Sequence, residues 1–141
     1  MKSLLFILLL MGANPLLTAQ CSDNAIRDEL GALTAALTEA GYATTYLTRC
    51  GTLQDGVSRI HDVQVYGGVR YNLLAVTDQN CAGAKVEVID RKGNVLAQHD
   101  PRSQRQTLSF TPPNSRNVRV KVTLADCKPG RCYYGLRLQA E

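Results

Sequence analysis

Apolar residues recur at two different periods along this chain, and the change of period separates a helical segment from a β-rich one. Between residues 22 and 40 the apolar side chains are spaced four, three, four and three residues apart, at Ile26, Leu30, Leu33, Leu37 and Ala40. This spacing places them on one face of an α-helix. Ser22 or Asp23 can cap the first turn, and Gly41 suits the left-handed residue that follows a helix. We therefore predict one amphipathic helix that packs against another element.

From residue 42 onward the period becomes two, which is typical of half-buried β-strands. Turn-forming residues separate eight such segments, at residues 42–49, 57–66, 69–77, 85–90, 95–100, 106–111, 117–124 and 133–139. Many short strands with this punctuation indicate an antiparallel sandwich or barrel. We predict a mostly β fold, an antiparallel, jelly-roll-like β-sandwich of about eight strands with one N-terminal α-helix.

Two features of the β-rich segment refine this prediction. Leu73 to Val76 is an unbroken apolar run, so we expect this strand to be central and covered on both faces, with the helix as a cover for one outer face or open end. Gly67-Gly68 and the segment from Arg91 to Asn94 read as tight hairpin turns.

The first residues predict export. Lys2 precedes an apolar run at residues 4–11, and small residues lead to Ala19. This layout is typical of a secretory signal peptide, and the run is too short for a permanent membrane span. We predict cleavage after Ala19, one mature domain over residues 20–141, a periplasmic or extracellular location, and no transmembrane segment. A lipid anchor on Cys21 is the lower-ranked alternative, because Gln20 stands where such sites prefer a small residue.

An oxidising compartment favours disulfides over metal sites for the five cysteines. Cys127 and Cys132 flank a short loop, so we predict a local disulfide between them. We favour Cys50–Cys81 as the second bond, because each of these residues follows a predicted strand and begins a loop. Cys21–Cys50 is the main competitor, since it would join the helix to the first strand.

The remaining polar residues give few candidates for chemistry. The formal charge is +4 without a basic run, and the chain has no zinc-finger spacing, so nucleic acid is not an expected partner. We identify no catalytic residue, no cofactor and no firm metal site. Asp78, Asn80 and Asp90 are weak calcium candidates that depend on their loops converging.

A basic surface is a further candidate site. Arg119 and Lys121 share the outward face of one predicted strand, and Arg137 is expected to join them from the next. Such charges usually keep a strand edge soluble. The functional alternative is a docking patch for an acidic glycan, a lipid head group or a protein.

A family resemblance covers Val63 to Leu138. The resemblance lies in five segments, at residues 68–71, 78–81, 86–97, 107–113 and 132–136. In these segments the chain resembles bacterial pre-peptidase C-terminal domains and related small exported β-sandwiches. The resemblance implies a non-catalytic module that aids secretion, stability or binding. Some of these domains hold calcium through an acidic pair, and here the matching place reads Ala84-Lys85-Val86-Glu87.

Together these observations predict an exported, non-catalytic β-sandwich module of the bacterial cell envelope or secretome, with a binding or structural role toward a protein, glycan or envelope component. The alternative is a secreted inhibitor of a hydrolase such as a lysozyme or a protease. In that case a rigid loop such as Lys128 to Arg131 would plug the cleft of the enzyme.

Overall fold

A computed structural model describes residues 21–99 and 103–141. The predicted signal peptide and its cleavage site lie outside this part of the chain. The helix α1 and eight strands follow one another as α1 (Asn24–Glu39), β1 (Thr44–Gln54), β2 (Ser58–Val65), β3 (Tyr71–Thr77), β4 (Gly83–Asp90), β5 (Val95–His99), β6 (Arg105–Phe110), β7 (Arg116–Ala125) and β8 (Arg131–Ala140).

The strands form two antiparallel sheets of four strands each. The first sheet has the order β1-β8-β3-β6 and the second has the order β2-β7-β4-β5. Every connection except β4–β5 therefore passes from one sheet to the other. This order is that of a jelly roll, in which two Greek keys wrap around one core. The predicted fold class is confirmed.

The main core lies between the two sheets. β7 alternates as its sequence predicts, because Val118, Val120, Val122 and Leu124 are fully buried while the residues between them are partly exposed. Packing apolar faces against each other in this way removes them from water and stabilises the two-layer arrangement.

A second, smaller core lies on the outer face of the first sheet, where α1 packs over β3 and β8. Ile26 and Leu30 of the helix meet Leu74 and Val76 of β3. All seven residues of β3 are buried, which confirms that this strand is central and covered on both faces. Gly135 of β8 allows the helix to approach, since a Cβ atom there would lie 2.6 Å from Leu30 Cδ1.

Both ends of the helix follow the sequence prediction. The Asp23 carboxylate accepts a hydrogen bond from the Ile26 N–H at 2.9 Å, which satisfies a donor that the helix leaves free. Gly41 has a positive φ of 103°, a conformation that other residues adopt at a cost. The helix of the described residues falls short of the length and apolar character that a membrane span requires.

Two local predictions were wrong. β1 does not end at Arg49 but continues to Gln54, because β8 pairs with it as far as Arg131. Gly67-Gly68 does not form a hairpin, because β2 and β3 belong to different sheets. The predicted hairpin between β4 and β5 is confirmed by their antiparallel pairing.

Candidate functional site

Three loops meet at one end of the sandwich and form the candidate site. They connect β1 to β2 (residues 55–57), β3 to β4 (residues 78–82) and β7 to β8 (residues 126–130). We call this set of loops the loop end. Each of the three crosses from one sheet to the other, so together they close the core at this end of the molecule.

Hydrogen bonds hold the loop between β7 and β8 against both neighbouring loops. Its Gly130 carbonyl accepts from the Asp55 N–H at 3.0 Å, and its Lys128 N–H donates to the Asn80 carbonyl at 3.0 Å. The Asp55 carboxylate also accepts from the Cys127 N–H at 3.2 Å. Because backbone groups on both sides fix this loop, its shape is set before any partner binds.

The fixed loop presents basic side chains to solvent. Lys128, Pro129, Gly130 and Arg131 are all exposed. Next to them Tyr133 is 40% exposed, whereas Tyr134 is 1% exposed. One of the two neighbouring tyrosines therefore lies in the core and the other at the surface.

A shallow cleft of about 390 Å³ adjoins the loop end. Its walls are the first turns of the helix, the end of β3 and the loop from Asp78 to Asn80, with Tyr133 at one side. The Asp78 carboxylate fixes this wall, since it accepts from the Asn80 N–H at 2.9 Å and from the Tyr133 N–H at 2.8 Å. The loop end therefore combines an exposed basic loop with an aromatic ring and a neighbouring concave surface.

Three buried cysteines lie beneath the loop end. Cys81, Cys127 and Cys132 have their sulfur atoms within 4.8 Å of one another. Burial raises the pKa of the Cys127 and Cys132 thiols. In the absence of a metal ion, burial thus favours the protonated thiols. The three cysteines are part of the core beneath the loops.

The preferred disulfide between Cys50 and Cys81 was wrong. The structure joins Cys50 to Cys21, the competing arrangement. The reason is that Cys50 is not at a strand end: it lies within β1 and packs against the helix side of the first sheet, whereas Cys81 belongs to the core between the sheets. The bond occupies the Cys21 sulfur that a lipid anchor would need. The Cys127–Cys132 disulfide stays a prediction, since both residues are thiols in the structure.

The weak calcium candidates do not converge. Asp78 and Asn80 lie at the loop end, but Asp90 lies at the other end of β4, a strand of eight residues and roughly 23 Å in length. Asp90 Oδ1 accepts from the Lys92 and Asn94 N–H groups at 2.9 and 2.8 Å. Hydrogen bonding by Asn94 is the main cause that lowers the Asp90 pKa. The Asp90 carboxylate is therefore occupied by hydrogen bonds within the turn between β4 and β5.

The three residues of the predicted basic patch are also separated. Arg119 and Lys121 lie on the outer face of the second sheet, where Lys121 is 3.9 Å from the Glu87 carboxylate. Arg137 belongs to β8 in the first sheet and donates to Thr34 Oγ1 of the helix at 2.7 Å. The prediction failed because the chain changes sheets between β7 and β8, so the outward faces of these strands point in opposite directions.

A group of polar residues that sequence reasoning missed lies between the edge strands β1 and β2. Arg49 and Gly51 share the inward face of β1 with Leu47 and Leu53. Arg59 and His61 pair with Val122 and Val120, so they share the inward face of β2. In the sequence, these polar residues stand at positions of β1 and β2 where the inward face of a sandwich strand is normally apolar. We call Arg49, Gly51, Arg59, His61 and Tyr134 the inner edge.

The geometry of the inner edge is defined by Tyr134. Its hydroxyl lies 2.9 Å from His61 Nε2. The Arg59 guanidinium fills the space that Gly51 leaves, since a Cβ atom on Gly51 would lie 2.9 Å from Arg59 Nη1 and 3.3 Å from Tyr134 Cε1. Burial, followed by the charges of Arg49 and Arg59, lowers the His61 pKa. Two cationic side chains therefore disfavour protonation of this imidazole.

Comparison with known proteins supports the fold and leaves the family open. No protein-family model and no curated protein matches the chain. Among solved structures it is similar to PliG from Aeromonas hydrophila, a periplasmic inhibitor of g-type lysozyme, with a TM-score of 0.50 and 9% identity. The match covers 70% of this chain and 90% of that protein. A family two carbohydrate esterase from Cellvibrio japonicus is matched with a TM-score of 0.31 and 14% identity, over 67% of this chain and 34% of the esterase.

Proposed function

We propose that this protein is an exported, non-catalytic module that binds and inhibits a hydrolase, with a g-type lysozyme as the first enzyme to test. The observation that carries the proposal is the fixed, exposed loop from Lys128 to Arg131. A loop that is ordered before binding loses little conformational entropy when it enters a cleft. This property distinguishes rigid inhibitors from flexible surface loops.

Charge complementarity supports the same target class. Enzymes that cleave glycosides carry a pair of carboxylates in an open cleft. Lys128 and Arg131 are exposed and adjoin the loop turn at Gly130, so they can be presented to such a cleft together. The fold shared with PliG agrees with this proposal, but likeness at 9% identity is an argument for the fold alone. The disulfide between Cys21 and Cys50 fits an exported protein.

The test is an inhibition assay with the purified mature protein against lysozymes of several types and against secreted proteases. We expect dose-dependent inhibition of at least one lysozyme. The double variant Lys128→Ala/Arg131→Ala should weaken inhibition at least tenfold, because two charged contacts at the cleft are lost.

The matched control is Arg91→Ala/Lys92→Ala, which removes the same charge from the exposed turn between β4 and β5. This control should inhibit like the wild type. Absence of inhibition across the enzyme panel would exclude the proposed function, and equal losses in the two double variants would exclude the loop as its cause.

A further inference from the structure

The inner edge contains charged side chains where a β-sandwich normally buries apolar ones. Arg49 and Arg59 occupy inward positions on the two edge strands, one from each sheet, and both are exposed at the open side of the sandwich. Among the described residues neither arginine forms an ion pair with a carboxylate. Arg49 Nη1 donates to the neighbouring Thr48 carbonyl at 2.8 Å. The two guanidinium groups at this opening therefore have no carboxylate partner within the described part of the chain.

The surroundings hold these groups in place. Gly51 gives the Arg59 guanidinium room to lie against the Tyr134 ring. A glycine within a strand often marks a place where another group must approach closely. The Tyr134 hydroxyl is bonded to His61, which fixes the floor of the opening. Guanidinium groups donate pairs of parallel hydrogen bonds that match the geometry of a carboxylate.

We propose that the inner edge is a carboxylate-binding site that extends the contact with the partner enzyme beyond the loop end. The assignment of the carboxylates to a hydrolase cleft rests on the proposed function. The β1–β2 loop, which is part of the loop end, leads directly into the inner edge. One cleft can therefore meet both surfaces, with Lys128 and Arg131 at one side and Arg49 and Arg59 at the other.

A competing explanation is that inward charges only protect the edge strands. Charged residues at sheet edges prevent pairing between molecules, and such residues need no ligand. This explanation predicts that loss of the arginines increases self-association and leaves carboxylate binding unchanged.

The first experiment measures binding directly. The imidazole resonances of His61 are followed by NMR while an oligoglutamate peptide is added, and inorganic phosphate is added in a parallel series. We expect saturable shifts with oligoglutamate and weaker binding of phosphate. Arg49→Gln/Arg59→Gln should weaken oligoglutamate binding at least tenfold, since the paired donors are lost. Arg91→Gln/Lys92→Gln, with the same change of charge elsewhere, should bind like the wild type.

Several results would overturn the site. The first is the absence of a His61 shift when oligoglutamate is added. The second is equal weakening of oligoglutamate binding in the two Gln double variants, and the third is phosphate binding as tight as oligoglutamate binding. Increased light scattering of Arg49→Gln/Arg59→Gln together with unchanged peptide binding would establish edge protection instead. Circular dichroism checks that the variant folds, and Arg49→Lys/Arg59→Lys provides a second variant that keeps the charge but not the paired donors. It should recover only part of the affinity.

A second experiment separates this proposal from the proposed function. If the wild type inhibits a lysozyme and Arg49→Gln/Arg59→Gln inhibits it equally, the inner edge is not part of the contact and the extended surface is wrong. If no enzyme is inhibited but oligoglutamate binding requires the two arginines, the inhibitor function is wrong and the carboxylate site stands.

Discussion

At the scale of single residues, the three sulfur atoms beneath the loop end differ in their surroundings. The Cys81 thiol lies 3.0 Å from the Gly83 carbonyl and 3.3 Å from the Ala125 carbonyl, so it is a hydrogen-bond donor to the backbone. These contacts hold the Cys81 sulfur against the backbone. Cys127 has the Cys81 sulfur, at 3.8 Å, as its partner.

We predict that oxidation joins Cys127 to Cys132, because these two residues flank a short loop. Cys81, whose sulfur contacts the Gly83 and Ala125 carbonyls, then stays as the one buried thiol. The mature protein should contain two disulfides, and alkylation after unfolding should label Cys81 alone in a peptide map. Cys81→Ser should keep both bonds, whereas Cys127→Ser should leave two residues open to alkylation. A peptide that links Cys81 to Cys127 would contradict the prediction.

The disulfide partner of Cys50 could not be predicted from residue type and sequence neighbours alone. The β-pattern weakens at Cys50-Gly51, so a strand end was the natural interpretation. The strand continues because β8 offers partners for every residue from Arg49 to Gln54. That pairing is a long-range property, and it alone decides that Cys50 points to the helix.

At the scale of elements, the packing of α1 on the first sheet depends on Gly135. A Cβ atom at this position would lie 2.6 Å from Leu30 Cδ1 and 2.7 Å from Ile26 Cγ2. Both are buried side chains of the small core under the helix, so neither can move away without disturbing their neighbours.

Gly135→Ala should lower the free energy of unfolding by about 1–3 kcal/mol, the usual range for overpacking a core. Adding Leu30→Ala to Gly135→Ala removes the nearest methyl group, so the double variant should be more stable than the sum of the two single effects predicts. Chemical denaturation measures all three variants.

Gly31→Ala is the matched control, because Gly31 lies on the same helix and a Cβ there meets nothing within 4 Å. It should stabilise the protein by up to about 1 kcal/mol through helix propensity. If the effects of Gly135→Ala and Leu30→Ala on the free energy of unfolding are additive, the Leu30 side chain does not pack closely against Gly135.

Element type was predictable here because each element has its own strong local pattern. Ile26 and Leu30 repeat at the helical period, and Val118 to Leu124 alternate, and the structure uses both patterns as expected. Element pairing was less predictable. Gly67-Gly68 has the local chemistry of a hairpin, yet β2 pairs with β7 and β3 with β6 and β8.

At the scale of the whole molecule, the order of strands in the two sheets decides which residues can act together. It separates Asp90 from Asp78 and Arg137 from Arg119, and it brings Arg49 and Arg59 together across the sandwich. Strand order depends on contacts between distant segments, so alternation along one strand predicts which face a residue occupies but not which residues it meets. For this reason the fold class was predictable while the inner edge was found only in the structure.

The position of His61 between the sheets also makes the stability of the whole sandwich depend on pH. The groups that face this imidazole are Arg49 from β1, Arg59 and Asp62 from β2, and Tyr134 from β8. Burial and the two arginines outweigh Asp62, so the His61 pKa in the folded protein lies below the ordinary value of 6.5. At pH values between the folded pKa and 6.5, the unfolded chain binds a proton at His61 that the folded protein does not bind. The free energy of unfolding therefore decreases as the pH falls through the interval between the ordinary and the folded pKa.

We predict that His61→Gln removes this contribution. Denaturant unfolding from about pH 7 to about pH 5 should show a smaller loss of stability for His61→Gln than for the wild type, because glutamine does not titrate and its amide can still reach the Tyr134 hydroxyl. An NMR titration of the His61 ring in the wild type gives the folded pKa independently. Parallel curves for the two proteins, or a His61 pKa above 6.5, would contradict the lowering of this pKa by burial and by the charges of Arg49 and Arg59.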